Sequence, residues 1–579
     1  MKKYYMLVSV FVWLFFSNLA LGQLNGDGTS SNPFSGTVPA SDEWIGEIYA
    51  NDLVIPTGVV LIISPGEFEA SLLNMEESAL TINVGGTLLI NPNASATIYE
   101  IINNGTLILE SGSTEFGVAS LIHNSYSGSG ITRTNLFLRS GLFGSEFVWH
   151  YISMPVTGIA ATLFNTLNLA QFLESETTSE GNDLGWITYQ GYQYSTTNTN
   201  EAYEFNTLEL GKGYNYYNVN PTTFTLQGTL NIFTIRQNLS YSGASDYEGF
   251  NLIGNPFASC IDWESLVGTY TSNVSNAIYF TNRDKMAAYV GGTSVNGGTE
   301  FIPPLQGFFV KSTSPGGYVD FVPEARVHSP DQMRYKKKSA DVSGKGNDTI
   351  SFFRLRLATP GDSTDVVVRF NKMATDGFDR ELDAYTFNRG MGNINIWSTT
   401  GNTDYCINAL PFPVESVIIP IGVNIKIPGT YKLSSAELKK LDLYNITLTD
   451  LMTSQVADLK KGEYVEFTSD AGLTENRFII TVTKSATDIA ETLEAGKFFA
   501  VYTDKDRTIN IRSLRNSNAI FGSIRIYDLT GRKIYDEPKV EWSGRFELRQ
   551  IKLNNPSSGI YLVELMSGAN RFVTKVALK

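Results

Sequence analysis

The chain has 579 residues, of which 42% are apolar, 12% aromatic and 18% charged, enough for several domains at about 100–200 residues each. Its net charge of −14 excludes a nucleic acid partner for the body, because neutralising a phosphate backbone needs basic surface. The charge is also unevenly placed. Residues 23–130 carry twelve carboxylates and no lysine or arginine, whereas residues 497–579 carry fifteen basic and eight acidic side chains, a local +7 against −21 elsewhere. A basic terminal module behind an acidic body suggests two separate jobs.

In chain order, MKKYYMLVSVFVWLFFSNLALGQ opens with Lys2 and Lys3, continues through an apolar stretch from Met6 to Phe16, and leaves through Ala20-Leu21-Gly22. That pattern predicts a secretory signal peptide over residues 1–22, cleaved before Gln23. The competing reading, an uncleaved anchor, asks the short apolar core to span a bilayer, and no later stretch is apolar for long enough to do so. Export permits disulfides. The only cysteines are Cys260 and Cys406, and their spacing leaves buried thiols and an interdomain bridge both open.

Residues 25–130 repeat short apolar runs, "TGVVLII", "GGTLLI" and "NGTLILE", entered through Gly58, Gly86 and Gly105. Glycine, with Asn103-Asn104, is expected to supply left-handed turns between rungs. Unbroken Val/Ile/Leu/Thr runs suit parallel strands covered on both faces. The expectation is a β-helix-like solenoid, with an antiparallel sheet domain as the alternative.

Residues 131–333 alternate short strands with Gly/Asn/Ser/Thr turns and crowd in aromatics: Trp186, Tyr189, Tyr192, Tyr194, Tyr203, Phe205, Tyr214, Tyr216 and Tyr217. A polar, basic stretch at 334–348 reads as a linker. Strand-like runs resume over 349–484, a sandwich-sized block. Residues 485–497 form a second connector, and 498–579 a last strand-rich unit. The fold class is therefore all-β.

Motifs for common chemistries are absent from the sequence. The three histidines, His123, His150 and His328, lack metal-ligand spacing, and there is no H-E-x-x-H, C-x-x-C, G-x-S-x-G or P-loop pattern. A glycosidase needs only two carboxylates facing each other in space, which spacing cannot reveal. The densest acidic knot, "FDRELDAY" with Asp379, Glu381 and Asp383, reads as a solvated strand edge. Asp27, and Asp504 with Asp506, sit in turn-like settings that suit either a structural calcium ion or ordinary Asx turns. No other cofactor is expected. Trp186, Tyr189 and Tyr192 are candidate glycan contacts if exposed, and core residues if buried.

The tail "SIRIYDLTGRKIYDE … NNPSSGIYLVELMSGANRFVTKVALK" resembles the type A C-terminal sorting domain of the Bacteroidetes type IX secretion system. The matching positions are the Gly531-Arg532 turn, the Ser558-Gly559-Ile560-Tyr561 strand and the closing Lys579. In place of the family's P-N-P opening this chain has "FFAVYTDKDRTINI". The body is similar to large secreted proteins of that phylum through "FVWHYISMPVTG", "GFNLIGNPFASCIDW" and "IPPLQGFFVKS". Asp348-Thr349-Ile350 and Asp362-Ser363-Thr364 resemble that phylum's O-glycosylation sites.

The resemblance implies a small Ig-like β-sandwich tail, a translocon and a sorting peptidase as partners, and delivery through the periplasm to the cell surface. It also implies removal of the tail, with attachment of the cargo to surface lipopolysaccharide. The leading expectation is a non-enzymatic adhesin or surface-matrix protein. A glycan-binding accessory to polysaccharide breakdown comes second, and a carboxylate-pair hydrolase third.

Overall fold

Short runs rich in Val, Ile, Leu and Thr favour extended chain over helix, and a computed structural model shows how they pair. It describes residues 24–578 apart from 66–71, 113–116, 140–141, 144–145, 165–167, 178–184, 193–200, 244–246, 283–284, 330–349, 388–390, 486–498, 504–506, 514–519, 543–547 and 568–569. The signal peptide, the 334–348 linker, residues 486–497 of the second connector, Asp348-Thr349, Asp504, Asp506 and Lys579 thus lie outside the described residues. By contacts the chain divides into two compact units, Met1–Glu110 with Ala119–Thr134, and Ser111–Val118 with Asn135–Lys579.

The strands of the first unit are β1 (Leu24–Asn25), β2 (Phe34–Thr37), β3 (Asp42–Ile45), β4 (Glu47–Ile55), β5 (Val60–Ser64), β6 (Leu72–Ile82), β7 (Thr87–Ile90), β8 (Ser95–Asn103), β9 (Thr106–Leu109), β10 (Ser120–Ser127) and the start, up to Thr134, of β11 (Ile131–Leu138). From β2 onward, even-numbered strands pair in parallel in one sheet and odd-numbered strands in a second. Each turn of chain therefore adds one strand to each sheet. The register stacks like on like: Leu61, Leu88 and Leu107 form one buried column, and Ile63, Ile90 and Leu109 another.

Two expectations change here. The runs are not covered equally on both faces, since Ile62, Leu89 and Ile108 alternate with buried neighbours and stay half-exposed; parallel stacking lets them shield one another along the ladder. The entry glycines also differ in cause. Gly58 has φ +79°, but Gly105 is there because a Cβ would stand 2.4 Å from the carbonyl oxygens of both Asn83 and Gly86. Asn103 serves as a buried bracket rather than a left-handed turn: its Nδ2 donates to Tyr126 Oη at 2.8 Å and to Ile131 O at 3.1 Å, while its Oδ1 accepts Gly105 N–H at 3.0 Å.

Among the described residues, the second unit is built from antiparallel sheets in which Asp362–Phe370 pairs in parallel with Thr403–Leu410. A five-stranded sheet runs in the order Phe250–Gly254, Gly307–Ser312, Val274–Asn282, Lys285–Val290, Thr293–Val295. Among the described residues, 351–484 form one eleven-stranded sheet. Its outermost strands, Gln455–Asp458 and Tyr464–Ser469, are bridged by Gln455 Nε2 donating to Tyr464 O at 3.4 Å, so the sheet curls over its own core.

Period-two alternation lets this sheet serve two cores. Phe353, Leu355, Val366, Val368 and Phe370 face the core inside the curl. Phe352 and Val367 face the other way, into a cluster with Tyr151, Phe172, Phe250, Tyr279 and Phe309. The aromatic-rich region and the block that follows 334–348 are thus packed through one shared hydrophobic cluster. In the tail, a three-stranded and a four-stranded antiparallel sheet pack around Ile509, Ile511, Ile524, Ile526, Val563 and Leu565.

Candidate functional site

A parallel strand pair cannot be joined by a tight turn. Asp362–Phe370 pairs in parallel with Thr403–Leu410, so the chain between them must cross over, and its first half becomes the wall of a cleft. The acidic knot fixes that wall. Asp379 accepts Thr375 N–H at 2.6 Å and the Thr375 hydroxyl at 3.0 Å through its carboxylate, and Leu382 and Asp383 N–H through its backbone oxygen. Asp383 accepts Asp379 N–H at 2.6 Å and Ala409 N–H at 2.5 Å. Of the three carboxylates expected on a solvated edge, only Glu381 is exposed; Asp383 is fully buried. The reason is that its two oxygens tie the crossover to the sheet. Burial pushes its carboxyl up to about 7.

The loop is pinned to the five-stranded sheet as well, by Asn276 N–H to Arg380 O at 2.8 Å and Tyr385 N–H to Tyr279 Oη at 2.9 Å. Behind it, the Cys406 thiol donates to Tyr385 O at 3.3 Å, and burial pushes it up to about 12. Cys406 and Cys260 are not bridged.

Between this loop and the strands Phe250–Gly254 and Gly307–Ser312 lies a cleft of about 410 Å³. Cross-strand pairing puts Lys311 opposite Phe250. The ammonium stands 4.7 Å from the Phe250 ring centroid and 5.2 Å from that of Tyr385, and donates to Glu248 O. Among the described residues it has no carboxylate within ion-pair distance, and burial lowers its pKa. Phe378 stacks on Tyr385 with centroids 4.3 Å apart and planes at 19°. Tyr385 stays a neutral phenol, pushed up to about 12 by burial. Tyr241, hydrogen-bonded to Glu248, completes the rim with Tyr247 and Phe387. Thr386 Oγ1, on the wall, has no hydrogen-bond partner among the described residues.

The sequence-derived glycan candidates lie elsewhere. Trp186 is half-buried, its ring stacked on Tyr151 at 6.0 Å and edge-on to Phe172 and Phe309 at 5.0 and 5.9 Å. Tyr189 is buried, and Tyr192 is 40% exposed. Asp27 accepts both the N–H and the hydroxyl of Thr29, an Asx turn whose hydroxyl contact holds the carboxyl low. Among the described residues no three His, Cys, Asp or Glu side chains come together as a metal-binding group. Burial pushes His328 down to about 4, and His150 Nε2 lies 2.5 Å from Arg139 O.

In the tail, Asp528 Oδ1 accepts Thr530 N–H, the Thr530 hydroxyl and Arg532 N–H, and Oδ2 meets Arg532 Nε at 3.1 Å. Gly531 closes that tip at φ +83°, and Arg532 is largely exposed. Tyr561 is buried and donates to Ser557 O at 2.7 Å. A Cβ at Gly559 would meet nothing within 4 Å, so packing gives no reason for glycine there.

Sequence reasoning missed the cleft. Its signal was nonetheless present, in the "GFNLIGNP" and "QGFFVKS" segments whose pairing joins Phe250 to Lys311. Family comparison finds two matches: a Domain of unknown function (DUF8693) over residues 49–482 and a Secretion system C-terminal sorting domain over residues 505–579. No curated protein matches. Among solved structures, dimeric latent PorU from Porphyromonas gingivalis is similar at 12% identity and a TM-score of 0.14, over 40% of this chain and 30% of that one.

Proposed function

Since the chain belongs to the family described as Domain of unknown function (DUF8693) and ends in a secretion system C-terminal sorting domain, we propose that its body works outside the cell as a non-enzymatic adhesin or surface-matrix protein. The sorting domain makes the chain cargo of the type IX secretion system, delivered to the cell surface or released. No helix among the described residues is long and apolar enough to cross a membrane.

One observation carries the reading: the aromatic-rich region spends its rings on packing. Trp186, Phe172, Tyr151, Phe250 and Phe309 join the cluster that locks it to the eleven-stranded sheet, which builds a rigid multilayer body. The acidic knot likewise acts as a brace, with Asp379 and Asp383 both engaged by backbone N–H groups. A hydrolytic carboxylate pair needs oxygens free to face substrate.

The second reading, glycan binding, is favoured by the cleft around Lys311. Sorting would end in removal of roughly the last 80 residues and attachment to surface lipopolysaccharide. Cells lacking the gene should lose adherence to polysaccharide-coated surfaces and regain it when the gene is restored, and the surface form should be shorter than the exported chain. Unchanged adherence would overturn the adhesin reading. An intact mass that still includes Lys579 would overturn the removal of the tail.

A further inference from the structure

The strongest unassigned feature is the cleft between Phe250, Lys311 and Tyr385. We infer that it binds a carboxylate-bearing sugar unit, with the aromatic walls taking a pyranose C–H face and the Lys311 ammonium taking the carboxylate. This rests on the adhesin reading and names the ligand class that such an adhesin would hold.

Three observations support that class. The lining alternates ring faces with hydroxyls: Phe250, Phe378 and Phe387 stand beside Tyr241, Tyr385 and Thr386. Such a surface suits a ligand that is apolar on one face and rich in hydroxyls at its edge. Second, a lysine ammonium has three N–H donors. Lys311 gives one to Glu248 O and holds its charge over two rings, leaving donors for a ligand. An anion that meets a half-buried ammonium forms a stronger bond than a neutral acceptor does. Third, the neighbouring charges limit the ligand to a single negative charge. The Glu248 carboxylate lies at the rim beside Tyr241, and Glu174 also acts on both Tyr241 and Lys311, so a doubly charged phosphate would face repulsion that a carboxylate halves.

The site is also preformed. Phe250 and Lys311 sit on paired strands, and the facing wall is fixed through Tyr385 N–H and the Asp383 brace. Binding would therefore need little ordering of the protein.

The test is calorimetric titration of the full secreted chain with trigalacturonate, its methyl ester, sialyllactose and neutral galactotriose. At least one of the two acidic sugars should bind. Esterifying or omitting the carboxylate should weaken binding by about tenfold or more, as should Lys311→Gln, whereas Lys311→Arg should retain most of it. Should Lys311→Gln fail to fold, Thr313→Trp at the cleft lining should block binding with the melting temperature unchanged. Equal binding of acid and ester, no binding of either acidic sugar, or displacement of bound trigalacturonate by a tripeptide with a free C-terminal carboxylate would overturn the inference. If cells carrying Lys311→Gln adhere like the wild type, the site falls while the adhesin reading stands. If deleting the gene leaves adherence intact, the adhesin reading falls instead.

Discussion

The Asp383 carboxylate accepts the backbone N–H of Ala409 at 2.5 Å with no exposure to solvent, and its other oxygen accepts Asp379 N–H. Burial raises its pKa to about 7 from 3.8, against the opposing pull of those two N–H bonds and of Arg369; the neighbouring Asp379 adds to the rise. The folded state therefore holds a proton that the unfolded chain releases between pH 4 and 7. Stability contributed by this group is complete below pH 4 and falls as pH rises through 7. His328 has the opposite sign. Burial lowers it to about 4 from 6.5, so the unfolded chain binds the extra proton and stability is lost as pH falls from 6.5 to 4. At most the effect is on the order of 4 kcal/mol for Asp383 and 3 kcal/mol for His328, and the two oppose each other over the shared window. Denaturant titrations from pH 4 to 6.5 should thus be nearly flat for the wild type. They should rise with pH in Asp383→Asn and fall with pH in His328→Gln.

The sequence groups Trp186 and Tyr192, with Tyr189, as candidate glycan contacts, yet their surroundings differ. Trp186→Ala removes a ring packed on Tyr151, Phe172 and Phe309 and should cost about 3 kcal/mol, seen as a lower melting temperature. Tyr192→Ala, at an exposed position, should change stability by less than about 0.5 kcal/mol. Equal losses would mean that Tyr192 carries packing not visible in its exposure.

How much of this was legible beforehand follows from what each feature depends on. The all-β class, the stacked runs of the first unit and the tail with its Gly531-Arg532 turn rest on local composition and short motifs, and those are present in the sequence. The role of Gly105 was not, because the clash it avoids comes from Asn83 and Gly86 on the neighbouring turn of the coil. Asp383 looked solvated because alternation within "FDRELDAY" carries no information about Ala409, more than twenty residues away. Lys311 and Phe250 lie about sixty residues apart and meet only through strand register. The sequence signals of the cleft were there as two separate segments, and the pairing that joins them is a property of the sheet.

Gly531 occupies the left-handed region, where a Cβ meets the following carbonyl, while the space around it is open. Gly531→Ala should therefore destabilise the tail by about 1–2 kcal/mol through backbone strain alone. Gly559→Ala meets no atom and has no positive φ, so it should be nearly neutral. Differential hydrogen exchange within residues 520–578 would separate the two. A Gly559→Ala chain that folds normally but fails to reach the surface would assign that glycine to recognition rather than to folding.

The sequence predicts a linker over 334–348, and Lys336–Lys338 should be an early site for limited trypsin. Cutting there should not release independent halves. Phe352, Val367, Phe387 and Ile407 on one side share a core with Tyr151, Phe172, Phe250 and Phe309 on the other. Polar contacts add to this: Arg354 Nη1 donates to Ser294 O at 2.7 Å, Asp365 N–H to Asn296 Oδ1 at 3.1 Å, and Lys285 Nζ lies 2.5 Å from Asp362 Oδ1 with both side chains largely buried. The nicked protein should elute from a sizing column as one species and separate only in concentrated urea. Lys285→Ala should weaken the association by about 3 kcal/mol, because it leaves the Asp362 carboxylate buried without its cation. Fragments that part in native buffer would show that the shared cluster does not hold the two regions together.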